Sequence, residues 1–203
     1  MTNQPSRADL DTTRCFGTGS PIYEAYHDDE WGVPIRDDRH LFELLILEGA
    51  QAGLSWETIL KRRANYRLAF DNFEIEKVAK YGESKIAELL QDEGIIRNKL
   101  KVNAAVKNAN VALDIQKKHN SLNAYFWSFV LDSKPLQPDF ASMNDVPAVA
   151  TPESVAMSKD LKKRGMTFVG PTIIQAFMQS TGMLNDHQTT CFRHQPIKDM
   201  AGT

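Results

Sequence analysis

Apolar side chains recur at intervals of three and four residues along almost the whole chain, and no stretch alternates convincingly between apolar and polar. That spacing is the repeat of a helix burying one face, whereas a half-buried strand repeats every second residue. An all-α fold is therefore expected. In HLFELLILEGA, residues 40–50, Leu41, Phe42, Leu44, Leu45 and Ile46 make a wide apolar surface behind the capping candidates Asp37 and Asp38. Ser55 is placed to cap WETILKRRANYRLAF, with Trp56, Ile59 and Leu60 on a shared face. A short helix is expected from Asn72 or Phe73 to about Tyr81, and Ser84 is expected to cap KIAELLQD. Asn98 to Lys118 reads as a long helix with Val102, Ala105, Val106 and Ala109 on its inner side. NAYFWSFVL, 123–131, is a further apolar helix or a buried segment.

The stretch from Asp132 to Ala150 is rich in Pro, Ser and Asp and reads as the main loop. Thr151 then caps a helix with Pro152 in first position, where its fixed φ and missing N–H cost nothing. That helix runs to Gly165, and MTFVG connects it to PTIIQAFMQSTG. Residues 1–13 and 195–203 read as mobile tails around a single domain, 14–194. A chain of 203 residues is long enough for one compact domain with a core of its own.

No apolar run approaches the roughly 20 residues of a membrane helix, so no membrane partner is expected. The opening MTNQPSRADLDTT lacks the apolar centre of a signal peptide, which makes a reducing, cytoplasmic setting the expectation and argues against a Cys15–Cys191 disulfide. Net charge is −2, but its distribution is uneven: residues 1–48 hold ten acids and four bases, and 97–118 hold six bases and one acid. With the knots Lys61-Arg62-Arg63 and Lys162-Lys163-Arg164, that asymmetry suits either solvated helix faces or a basic face for a polyanion.

Four groups of residues carry chemistry. The two cysteines stand at opposite ends of the chain, Cys15 with His27 after it and Cys191 with His187 before it. Together they supply the two thiolates and two imidazoles of a closed tetrahedral zinc site, with His194 as a rival ligand; two buried thiols beside ordinary histidines is the alternative. Tyr23, Tyr26 and Trp31 crowd YEAYHDDEW without a common period, and Trp56 follows GLS; these are core plugs or a stacking pocket for a planar ligand. Glu48 ends an apolar run at the unfavourable end of a helix dipole; it is a surface glutamate, one side of a salt bridge, or the partner of a cationic or hydrogen-bond-donating ligand. Gly165 and Gly170 bracket a short turn in LKKRGMTFVGPTIIQAF, which is a plain helix–helix connection or a phosphate grip made of backbone amides.

YHDDEWGVP, LFELLILEGAQAGLSW, DEGIIRNKLKV, LKKRGMTFVGPTI and NDHQTTC, in this order, closely resemble the 3-methyladenine DNA glycosylase I family, over about residues 14–191. The resemblance implies a helix-hairpin-helix glycosylase fold with a structural zinc joining the N- and C-terminal segments through Cys15, His27, His187 and Cys191. It implies that Glu48 hydrogen-bonds the damaged base, that Tyr26 and Trp56 stack on it, and that Trp31 and Tyr23 line the pocket. Leu54 would fill the gap left by the extruded base. Lys162, Lys163, Arg164 and the hairpin through Gly165, Phe168, Val169 and Gly170 would hold the DNA backbone. The implied partner is double-stranded DNA containing 3-methyladenine, met by a monomer that hydrolyses the N-glycosidic bond without cutting the strand.

Two positions depart from the family pattern. The first ligand is followed by Phe16-Gly17 where the family usually reads Gly-Trp, and the loop after it is one residue shorter. Pro171 and Thr172 follow Gly170 where the superfamily often carries a lysine nucleophile, and nothing gives Asp186 the superfamily aspartate's role. Two other classes share these features: a protein that binds alkylated DNA without excision, and a hydrolase whose zinc activates water.

Overall fold

The computed structural model describes residues 13–146 and 150–200. The expected tail residues 1–12 and 201–203, and positions 147–149 of the main loop, lie outside the described residues. The described residues form helices and turns with no strand, only an isolated parallel bridge between Leu136 and Leu184. In chain order the helices are α1 (Pro21–Asp29), α2 (Asp38–Gln51), α3 (Trp56–Ala69), α4 (Ile75–Val78), α5 (Glu83–Leu89), α6 (Lys99–His119), α7 (Leu122–Trp127), α8 (Pro152–Lys163), α9 (Pro171–Ser180) and α10 (His194–Met200).

Residues 41–50 of α2 are all buried, as a helix apolar on every side must be. It is the axis of the molecule and packs against α3, α6, α7 and α9. Its start is fixed by Asp37, whose side chain accepts from the His40 N–H at 2.8 Å. Ser55, Asn98 and Thr151 cap α3, α6 and α8 in the same way, satisfying amides that have no partner inside the helix. Asn120, in the left-handed conformation at φ 70°, closes α6.

Several boundaries differ from the sequence reading, each for a local reason. Residues 71–73 turn through positive φ angles of 49°, 54° and 57°, so the helix expected over 72–81 shrinks to α4. Helix α5 begins at Glu83, with Gly82 and not Ser84 before it. The segment from residue 195, read as a tail, is helical as far as Met200, because Ile197 is fully buried and His194 is held by Asp139 at 3.0 Å. The crowded aromatic segment is also a helix: in α1, Tyr23 and Tyr26 stand three residues apart, and Trp31 follows its end.

One crossing brings the two ends of the domain together. Gly182, at φ +71°, lies so close to the 32–34 backbone that a Cβ would stand 2.5 Å from Pro34 N and Val33 C. Beside it, the Gly32 and Ile35 amides donate to the carbonyls of Gln179 and Thr181 at 3.2 and 3.0 Å. The segment after α1 is thereby laced to the segment after α9.

Candidate functional site

Glu48 sits in the last turn of α2, only 4% exposed, at the floor of a cleft of about 220 Å³. That volume is below the usual range for drug-sized ligands and suits one small planar ring system. Its walls are aromatic: Tyr23 and Tyr26 from α1, Trp31 just beyond it, Trp56 at the start of α3, and Phe16 from the N-terminal segment. Tyr26 and Trp56 have ring centroids 5.5 Å apart, and Phe16 lies 4.9 Å from Tyr23 and 4.8 Å from Trp31. Phe16 thus closes the wall between Tyr23 and Trp31. Gln51, Ala176 and Gln179 complete the lining and were not singled out from sequence. Gln51 stands one turn after Glu48 and was legible as its neighbour; Gln179, on α9, carried no such signal.

The electrostatics of the cleft are set by burial. Removal from water raises the Glu48 carboxyl to about 8, and the Ser180 hydroxyl offsets this in part. Burial, and after it the nearby Glu48 charge, also pushes both Tyr26 and Tyr23 upward. The Trp56 indole Nε1 is buried without a hydrogen-bond partner. An acid held neutral by desolvation lies among aromatic faces, a combination that a cationic, hydrogen-bonding planar ligand would satisfy.

A buried ion network fixes the walls. Arg63, in the basic knot, does not face outward: its Nε donates to Glu43 at 2.7 Å and its Nη1 to Glu30, the residue before Trp31. Glu43 is fully buried on α2 and also receives Arg67 at 2.8 Å. The pair therefore ties the end of α1 to α2 and α3. Lys61 pairs with Glu57, and Arg62 donates to the Glu93 carbonyl.

The rim holds Leu54, 41% exposed in the turn between α2 and α3. In the turn between α8 and α9, Gly165 adopts φ +102°, and Phe168 takes φ 55° while packing on Gly49. Lys162 and Lys163 are exposed. Arg164 is instead committed inward, with Nε on Asp160 at 2.6 Å and its guanidinium 4.9 Å from the Tyr125 ring. Val169 is buried, and its carbonyl accepts from Ser158 at 2.6 Å, which makes it an anchor of the turn and removes its side chain from any outer surface. Gly170 precedes α9 without a side-chain cap, leaving the first amides of that helix to another acceptor.

Cys15, His27, His187 and Cys191 converge, with ligand atoms all within 4.8 Å of one another. His194, the rival, pairs with Asp139 and is not among them. His187 Nε2 lies 3.0 Å from the Trp31 carbonyl, which only accepts, so Nε2 carries the proton and Nδ1 presents its lone pair to Cys15 and Cys191. His27 Nδ1 likewise donates to Asp28 at 2.9 Å and leaves Nε2 toward Cys191; Arg14 holds that aspartate through two bonds of 2.8 and 2.7 Å. Outer acceptors that fix the tautomer are the usual support of metal-ligating imidazoles. A tetrahedral ion with arms of about 2.0–2.3 Å spaces its ligand atoms at about 3.3–3.8 Å. The sulfur–nitrogen distances of 3.6, 3.4 and 3.5 Å fall in that range. Contact between the two sulfurs favours one thiolate, burial opposes ionisation, and both histidines help the thiolate form. Both cysteines are free.

Residues 16–194 match the family described as methyladenine glycosylase. DNA-3-methyladenine glycosylase 1 of Escherichia coli (strain K12) is 46% identical over 171 residues, covering 84% of this chain and 90% of that protein. A crystal structure of 3-methyladenine DNA glycosylase I superposes with a TM-score of 0.86 at 47% identity, covering 90% of this chain and 100% of that one. The Staphylococcus aureus 3-methyladenine DNA glycosylase I, solved to explain its recognition of 3-methyladenine, gives a TM-score of 0.84 at 37% identity, covering 88% of this chain and 94% of that one.

Proposed function

The chain belongs to the methyladenine glycosylase family, and from that premise we propose that the aromatic cleft over Glu48 receives 3-methyladenine turned out of duplex DNA. The activity is hydrolysis of the N-glycosidic bond that holds 3-methyladenine in alkylated DNA, at the start of its repair. Chemistry on a base within a duplex requires the base to leave the stack, at a cost of a few kcal/mol. Leu54, exposed at the rim, fills the gap.

Methylation at N3 gives the base a positive charge and weakens its bond to the sugar, so the leaving group arrives already activated. The faces of Tyr26 and Trp56 attract that charge, and Glu48 adds a charge-assisted hydrogen bond that neutral adenine matches less well. A carboxyl held at about 8 by burial ionises readily when a cation enters beside it. Pro171 and Thr172 follow Gly170, so no lysine there forms a covalent link. Water therefore attacks the anomeric carbon, and an abasic site remains in an intact strand.

The α8–turn–α9 unit serves as the helix-hairpin-helix element, gripping a phosphate with the amides at the start of α9. Lys162 and Lys163 add long-range attraction, and Gly165, Phe168, Val169 and Gly170 shape the turn. Arg164 is spent on Asp160. Cys15, His27, His187 and Cys191 would hold a zinc ion whose chemistry is structural, a cross-link between the ends of the domain. Four protein donors leave no open position of the kind a catalytic ion keeps, which speaks against the zinc hydrolase. We place the enzyme in a reducing compartment, acting as a monomer; among the described residues no helix is long and apolar enough to cross a membrane.

The observation that carries this reading is the buried carboxyl of Glu48 beneath the Tyr26–Trp56 pair. Mass spectrometry of bases freed from methylated DNA tests it. The wild-type protein is expected to release 3-methyladenine and Glu48→Gln to release at least a hundredfold less; equal release by both removes Glu48 from the reaction, and no release by either leaves a binding protein.

A further inference from the structure

Helix α6 contributes no atom to the cleft, yet one of its faces holds both elements assigned to the DNA above. Lys101 Nζ donates to the carbonyls of Ala50 and Ala52 at 2.8 and 2.7 Å. The first is an orphan of the last turn of α2, and the second lies in the turn that leads to Leu54. No carboxylate among the described residues pairs with this ammonium. Burial without a counter-charge lowers its pKa, so two carbonyl dipoles carry what an acid would usually supply.

Seven residues later on the same face, Asn108 is 2% exposed and grips the other element by both ends of its amide. Its Nδ2 donates to the Thr167 carbonyl and its Oδ1 accepts from the Thr167 N–H, each at 2.9 Å. Positions i and i+7 stand two turns apart, about 10.5 Å along the axis of a rigid helix. The two held elements also touch directly, since a Cβ on Gly49 would stand 3.1 Å from Phe168 Cβ.

We infer that Lys101 and Asn108 are positioning residues which use α6 as a spacer, fixing the separation between the Leu54 turn and the 165–170 hairpin so that wedge and phosphate grip meet one duplex together. Neither residue touches the base. The inference rests on the reading of those two elements as DNA-contacting. Its energetic content is preorganisation: when the two contacts are fixed in advance, the second costs little further ordering once the first has formed. A spacer fails when either end is cut, so losing the second end adds little to losing the first.

The test makes three measurements on wild type, Lys101→Met, Asn108→Asp and the double variant. These are binding of a duplex carrying a tetrahydrofuran abasic site, binding of free 3-methyladenine by tryptophan quenching, and thermal midpoints as a check on folding. Each single variant is expected to lose about tenfold in duplex affinity, the double variant no more than about twofold beyond that, and the free base to bind as in wild type. Asn108→Ser, which keeps one hydrogen bond, replaces Asn108→Asp if the latter does not fold. Unchanged duplex affinity, losses that multiply in the double variant, or a parallel loss of base affinity each overturn the spacer. Failure of the wild-type protein itself to bind the abasic duplex would instead strike the DNA reading on which it rests.

Discussion

Replacing Glu48 by glutamine is expected to change how stability depends on pH as well as activity. The carboxyl stands near 4.5 in the unfolded chain and at about 8 in the fold, where burial is the main cause. An acid whose folded value is raised has its full stability below about 4.5 and loses it as pH climbs toward 8, because the folded state must keep a proton that the unfolded chain gives up. At about 1.4 kcal/mol per unit, the whole shift amounts to roughly 5 kcal/mol, a large part of the 5–15 kcal/mol that holds an ordinary domain together. Glutamine does not titrate, and any fixed cost of its amide shifts the curve without tilting it. Urea unfolding of both proteins between pH 5 and 9 isolates the effect, since every other group cancels in the difference. The variant is expected to gain on the wild type by about 1.4 kcal/mol per pH unit from about 5 to 8 and to level off above. A difference that stays flat across that range would refute the argument that burial governs this carboxyl.

Three further outcomes follow from the same geometry. If the ionised Glu48 is what meets the cationic base, kcat/KM on alkylated DNA rises with pH through about 8 and then flattens; steady-state rates from pH 6 to 9 check this, and a profile falling over that range contradicts it. Cys191→Ser is expected to reduce bound zinc, read by elemental analysis, and to lower the thermal midpoint by several degrees, with kcat changed less than about threefold at a temperature where the variant is folded. Phe16→Ala opens the wall between Tyr23 and Trp31 and removes three ring contacts, to Tyr23, His27 and Trp31, worth about 0.5–1.5 kcal/mol each, so free 3-methyladenine is expected to bind about tenfold more weakly in a fluorescence titration.

Much of this arrangement was legible in the sequence, wherever a local signal and the tertiary demand agree. Asp37, Ser55, Asn98 and Thr151 cap the helices they precede, and the unbroken apolar run before Glu48 required burial on all sides. Helix α1 was not legible because only Tyr26 and His27 of its nine residues are buried, too few to make the stripe that marks a helix. The 61–63 run misled in the other direction: Arg63 is an interior cation whose partners, Glu43 and Glu30, lie 20 and 33 residues away in sequence. Arg164 is similar, since its commitment to Asp160 and Tyr125 depends on a ring supplied by another helix. The spacing of the Cys/His pairs suggested a site, but their convergence depends on the tight crossing at Gly182, which no spacing rule encodes. Val169 looked like part of an outward grip because glycines flank the turn, and its burial shows which side of the hairpin faces the core.

A crystal structure of the protein soaked with 3-methyladenine tests the central claim most directly. The account places the ring in the cleft, in contact with Tyr26 and Trp56, with a Glu48 carboxylate oxygen within about 3 Å of a base nitrogen. Density for the base in another cavity, such as the groove of about 340 Å³ lined by Leu136, Gln137 and Asp186, with Glu48 left untouched, would contradict it.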